Sequence, residues 1–193
     1  MSDLYVSLED VREYVDIGQA DDNMLLRMIR AAQTHVEKKT GRAFLVPADS
    51  SQTLPIFQVL GDTLHLDEYG ELAAITEIVN GDGTIIPAGS YVTNPPNRTP
   101  YYAIKLKSSS NLSWIAGNDP DEAITITGRW GYSITPPEDL RQGIIRLVAW
   151  MYRQKDNSGD MDRPVVSKDG QLLLPSRLPK DFVELVDGYV SPL

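Results

Sequence analysis

Cysteine is absent from the 193 residues, and histidine occurs only as His35 and His65. The first absence excludes a disulfide framework, a thiolate metal site, an iron–sulfur cluster and a cysteine nucleophile. The second leaves little room for a catalytic triad or a transition-metal centre, both of which draw on imidazole. Positive charge is also short: 18 Lys and Arg stand against 27 Asp and Glu, a net charge of −9. That is the wrong sign for gripping phosphates by counterion release. No apolar run approaches the roughly 20 residues of a membrane span. The start, Met1-Ser2-Asp3-Leu4-Tyr5-Val6-Ser7, lacks the basic and apolar regions of a secretory signal. These absences predict a chain kept in a cytoplasm-like compartment, with no cofactor, no metal, no membrane partner and no enzymatic activity.

What is present is enough to fold. A chain of this length can bury roughly 70% of the surface it exposes when unfolded. Ser7 opens a Ser-x-x-acid pattern closed by Asp10, and Leu8, Val11, Tyr14 and Val15 follow at helical spacing, so a first helix is expected near 7–17. Asp21 or Asp22 can cap a second, near 21–40, in which Leu25, Met28, Ile29, Ala32 and Val36 keep the i, i+3, i+4 pattern. Lys38 and Lys39 suit its negative end and Gly41 stops it. Pro136-Pro137-Glu138-Asp139 opens a third, near 137–154, with the apolar stripe Leu140, Ile144, Leu147, Val148 and Met151. Leu25, Met28, Ile29, Leu140, Ile144, Leu147, Val148 and Met151 are the expected core of one small bundle.

Between the second and third helices the chain turns to β-branched runs split by Gly, Pro and Asn. Strands are expected over Leu54 to Leu60, Thr63 to Leu66, Ala74 to Asn80, Thr84 to Pro87, Ser90 to Thr93, Tyr102 to Lys107 and Ala123 to Trp130. Asn80-Gly81-Asp82-Gly83 is the clearest hairpin turn. The fold class that follows is α+β: a small helical bundle with an inserted antiparallel β subdomain and an extended C-terminal arm. In domains, 1–43 carries the N-terminal helices, 44–134 the β insertion, 135–155 the third helix and 156–193 the arm with a short terminal helix. Ten acidic and four basic residues give the insertion a net −6, most of the negative field.

Candidate chemistry is thin. Asp67-Glu68 with Glu71, and Asp119 with Asp121-Glu122, are the carboxylate groupings a glycosidase pair or calcium site would use, but they lack calcium-loop spacing and read as solvated turns. Gly81-Asp82-Gly83-Thr84 lacks the Lys and the following helix of a phosphate loop. Trp130 and Trp150 read as core. Trp114 with Tyr101-Tyr102 could form an exposed face for a sugar or other ligand, which is the alternative functional reading. The arm is different. A polar stretch, Asp156 to Lys168, leads to Leu172-Leu173-Leu174-Pro175 and then to Phe182, Val183, Leu185 and Val186. Such a sticky segment either folds back on the bundle or docks on another chain.

Ser7 to Val15, Asp21 to Leu26, Ile29 to Ala32 and Val36 to Arg42, together with Gly128-Arg129-Trp130-Gly131-Tyr132 and Thr135 to Leu140, resemble the head-to-tail connector (adaptor) family of tailed bacteriophages. Leu178-Pro179 with Val183, Leu185 and Tyr189 resembles the close of its longer members. The resemblance covers about half the chain. It implies a structural virion protein at the head–tail neck, assembled in the host cytoplasm as a ring, typically of twelve copies. Below the portal protein such a ring extends the DNA channel without tight DNA binding and receives the tail or a stopper protein. It also implies that the C-terminal segment holds the portal, which here makes Leu172, Leu173, Leu174, Pro175, Phe182 and Leu185 the expected portal-binding residues. The insertion of about 90 residues is far larger than in minimal members, so the resemblance implies nothing about the role of 44–127.

Overall fold

The computed structural model describes residues 3–15, 22–66, 68–155, 164–175 and 177–191. The expected ends of the first two helices within 16–21, Asp21 as a cap, Asp67, and the first part of the polar stretch (156–163) lie outside them. The chain divides into two compact units, one of residues up to 42 and from 136 onward, the other of 43–135.

The first unit is a bundle of α1 (Leu8–Val15), α2 (Asp22–Thr40), α3 (Glu138–Gln154) and α4 (Lys180–Asp187), with a small hairpin of β8 (Val165–Val166) and β9 (Leu172–Leu173). The capping pattern read from Ser7 and Asp10 forms in full. The Ser7 N–H donates to Asp10 Oδ2 at 2.8 Å and the Asp10 N–H to Ser7 Oγ at 3.1 Å, which satisfies two donors that a helix start otherwise leaves open. The same carboxylate accepts from Arg141 of α3 at 3.1 Å, so the cap also ties α1 to its neighbour. Leu25, Met28 and Ile29 of α2 and Leu140, Ile144, Leu147, Val148 and Met151 of α3 are all buried. Buried Gln33 receives the Tyr5 N–H on its Oε1 at 3.1 Å and donates from Nε2 to the Asp3 carbonyl at 3.2 Å, which pins the N-terminal segment to α2.

Asp10 is held below the ordinary carboxylate range, chiefly by the Ser7 N–H. His35 is held below the ordinary imidazole value by burial and then by the Lys39 charge. Both shifts favour the deprotonated form in the folded state. Each therefore contributes stability present above the unfolded-state value and lost as pH falls through the lower folded value, for His35 below about 6.5 and for Asp10 below about 3.9. Asp10→Ala is expected to cost about 1 kcal/mol at pH 7. In urea titrations repeated at pH 3 its deficit relative to the native chain should shrink.

Among the described residues the second unit holds seven strands in two antiparallel sheets around one core. Strands β1 (Ser50–Leu54), β7 (Ile124–Trp130) and β4 (Leu72–Val79) form one sheet in that order. The other runs β2 (Val59–Leu60), β3 (Thr63–His65), β6 (Ala103–Leu106), β5 (Tyr91–Asn94). Strand β7 shows the period of two plainly: Ile124, Ile126 and Gly128 point inward, while Thr125 and Thr127 face out and meet Thr53 and Ser51 at 3.2 and 2.7 Å. Leu54, Ile78, Ile124 and Ile126 from one sheet share a buried cluster with Leu64, Ile104 and Leu106 from the other.

Two expected strands are revised. Leu54 to Leu60 is not continuous: Pro55, which has no N–H for a ladder, precedes a 3₁₀ turn over Ile56–Gln58, so the segment is split between the two sheets. Thr84 to Pro87 forms no full strand: the Asn80 N–H donates to the Thr84 carbonyl, Ile85 bridges Val79 and the Ile86 N–H donates to the Ile78 carbonyl before Pro87 ends it. The turn before it forms as expected, with the Gly83 N–H donating to Asn80 O at 2.8 Å and Gly83 at φ +82°.

Candidate interaction surfaces

The groups able to carry chemistry are dispersed. His35 lies on α2, its ring 6.3 Å from that of Phe182, while His65 lies in β3 of the other unit. Glu68 accepts from Gln58 at 2.8 Å, Glu71 is buried and accepts from the Tyr102 hydroxyl at 3.1 Å, and Asp119 accepts the Asp121 N–H in a local turn. Among the described residues no group of three or more His, Asp or Glu could hold a metal ion. Trp114 donates its indole N–H to the Asp62 carbonyl at 2.9 Å, and with Tyr101 it packs half-buried on the β core.

The six C-terminal residues fall into distinct environments. Phe182 is buried and Leu185 half-buried in the helical unit, where the Cα of Gly143 lets α3 pass close to both. Arg146 pairs with Asp181, Lys39 with Asp187 at 3.1 Å, and the Tyr189 hydroxyl donates to Asp139 at 2.7 Å. Helix α4 is thus a member of the bundle rather than the end of a free arm. Pro175 is buried too. Leu172 to Leu174 belong to a hairpin that lies against α2, its loop Lys168-Asp169-Gly170 closed by a bond from the Gly170 N–H to the Ser167 carbonyl at 3.0 Å with Gly170 at φ +77°. Of the two outcomes the sequence leaves open for this segment, folding back on the bundle is the one seen, because three loop residues let Val165-Val166 and Leu172-Leu173 pair. The Asp-Gly step between two apolar pairs was the signal for it. The cross-strand partners Val165 and Leu173 are left 47% and 56% exposed.

Among the described residues, two depressions of the helical unit stand out. One, of about 250 Å³, is bordered by Tyr14, Arg146, Trp150, Arg153 and Phe182. The larger, about 640 Å³, runs between the outer face of α2 and β9. Arg27, Arg30 and Lys38 line it on the helix side and Leu172, Leu173 and Leu174 on the hairpin side, and among the described residues no acidic one lines it. The three cations are exposed and make no ion pair among the described residues. Sequence reading missed this stripe, although positions 27, 30, 34 and 38 share one helical face.

The β unit has its own exposed feature. Phe57, in the 3₁₀ turn, and Leu60, in the edge strand β2, are 70% and 77% exposed. Asp62 and Glu68 are exposed beside them, in the turn after β2 and bonded to Gln58 respectively.

No protein-family model matches the sequence, and no curated protein matches it. Solved structures do. One chain of the neck of an empty GTA particle, computed with C6 symmetry, aligns at a TM-score of 0.51 and 17% identity over 100% of this chain and 94% of that one. A chain of the virion of a native gene transfer agent (GTA) particle aligns at 0.53 and 17% identity over 98% and 91%. The likeness is one of fold and extends over nearly the full length of both partners, so this chain has a fold that gene transfer agent particles also contain.

Proposed function

We propose that this chain is a structural protein of the neck of a tailed phage or phage-like particle: a head-to-tail connector that forms a ring, of twelve copies, below the portal protein. The observation that carries the reading is the fold shared with chains of a gene transfer agent neck and virion over nearly all of this chain. The β insertion is inside the aligned length, so it belongs to the shared design. The chemistry agrees. A net charge of −9 per copy makes a ring that repels the DNA passing through it instead of holding it. The scattered histidines and carboxylates suit assembly rather than catalysis. The ring extends the DNA channel and gives the tail or a stopper its docking surface. A ligand-binding role for the β unit is the second reading, and the bonds that hold Trp114 and Tyr102 within the unit favour assembly over it.

Of the six residues the resemblance assigns to the portal, buried Pro175 and Phe182 and half-buried Leu185 hold the bundle together. The portal contact is accordingly narrowed to the hairpin's exposed pair, Leu173 and Val165. Purified chain mixed with portal particles is expected to co-sediment with them. Val165→Asp with Leu173→Asp should lower the bound fraction at least tenfold while leaving the circular dichroism spectrum unchanged. A native chain that never joins portal particles overturns the reading.

A further inference from the structure

The chain carries two complementary surfaces, one on each of its two units. The groove beside α2 is apolar on one wall and cationic on the other, through Arg27, Arg30 and Lys38, in a protein whose net charge is strongly negative. The tip of the β unit presents Phe57 and Leu60 beside Asp62 and Glu68, within the portion of the chain that holds a net −6. The tip matches the groove in both respects: apolar side chains for the leucine wall, carboxylates for the three cations. We propose that the β-unit tip of one copy docks in the α2 groove of the next.

Such a contact joins two different patches, so a joined pair still has a free groove on one copy and a free tip on the other for further neighbours. Repetition then closes a ring when the rotation per copy allows it. The pairing rests on the two surfaces; only the ring it would close rests on the neck reading. Opposite charges set the register and speed the encounter, and the buried phenylalanine and leucine retain the complex. The contact should weaken with salt, because the paired charges lie at the rim where screening acts.

The absence of native cysteine makes the test direct. Full-length Leu60→Cys and full-length Thr34→Cys, Thr34 being exposed in the groove, are mixed at high concentration in low salt and oxidised gently. The expected product is the mixed disulfide dimer, in at least tenfold excess over what either variant forms alone. Adding Arg27→Glu and Arg30→Glu to the groove variant should lower the yield about tenfold. Adding Asp62→Lys and Glu68→Lys to the tip variant should restore it, a rescue that misfolding cannot produce. A mixed yield no higher than that of the single variants, or one indifferent to charge reversal, overturns the proposal. So does a Thr34→Cys chain that in assembled particles links to a different protein and not to its own copy. Portal sedimentation is scored on the native chain, and the crosslinking variants leave Val165 and Leu173 unchanged, so the neck reading and the copy-to-copy contact fail independently.

Discussion

Phe182→Ala is expected to destabilise the helical unit by about 3–5 kcal/mol, the range for emptying a buried aromatic site. The side chain is 3% exposed and sits against α3 at Gly143, near His35 of α2. Neither helix can close the space alone. Removing everything after 178 should do more, since it also takes away the Arg146–Asp181 and Lys39–Asp187 pairs, the bond from the Ser191 N–H to the Thr40 carbonyl and the one from Arg42 to the Tyr189 carbonyl. Urea unfolding followed through Trp150, which is half-buried on α3, reports both. A truncated chain with an unchanged midpoint would mean that α4 is a detachable arm. If α4 is a bundle member, portal attachment and folding cannot be separated by deleting it, and only surface substitutions such as those at Val165 and Leu173 isolate the contact.

The helices were legible because each carries its own evidence. An apolar stripe, a cap and a stop lie within the same 20 residues, as in Leu25 to Val36 with Gly41 behind them. Strands were legible where a run is inward-facing and β-branched, as Ile124 to Trp130 is. Strand β1 was not: Ser50-Ser51-Gln52-Thr53 has no alternation of its own and is ordered by pairing with β7, 70 residues away. The strand expected across Pro55 failed for the opposite reason, since apolar continuity from Leu54 to Leu60 outweighed the missing donor. The grouping of the candidate surfaces was hidden too. Arg27, Arg30 and Lys38 are an ordinary solvated helix face until β9 lies beside them, and that neighbour is set by folding of a segment more than 130 residues downstream.

The backbone leaves one position in the β unit no latitude, and Gly128→Ala is expected to cost about 3 kcal/mol or more. A Cβ built there lies 2.1 Å from the Ala74 carbonyl oxygen, 3.1 Å from its carbon and 3.2 Å from the Ile75 Cα. Strand β7 is the central strand of its sheet, with Gly128 opposite Ser50 on one side and Ile75 on the other, so it cannot move off β4 without losing β1. The register of β4 is already irregular on both sides of this contact, between Leu72 and Ala74 and between Ile75 and Glu77, which is where β4 bends to bring its backbone close. Overpacking against side chains costs about 1–3 kcal/mol because side chains rotate away; a carbonyl oxygen held in a ladder does not. Gly89 is the control, with open space where its Cβ would go, and Gly89→Ala should change stability by no more than about 0.5 kcal/mol. Amide exchange separates this effect from any in the bundle. Protection should fall along β4 and β7 in the Gly128 variant while α2 and α3 keep theirs, because the two units have separate cores. Equal melting of the Gly128 and Gly89 variants would show that β4 and β7 do not approach as closely as this register requires.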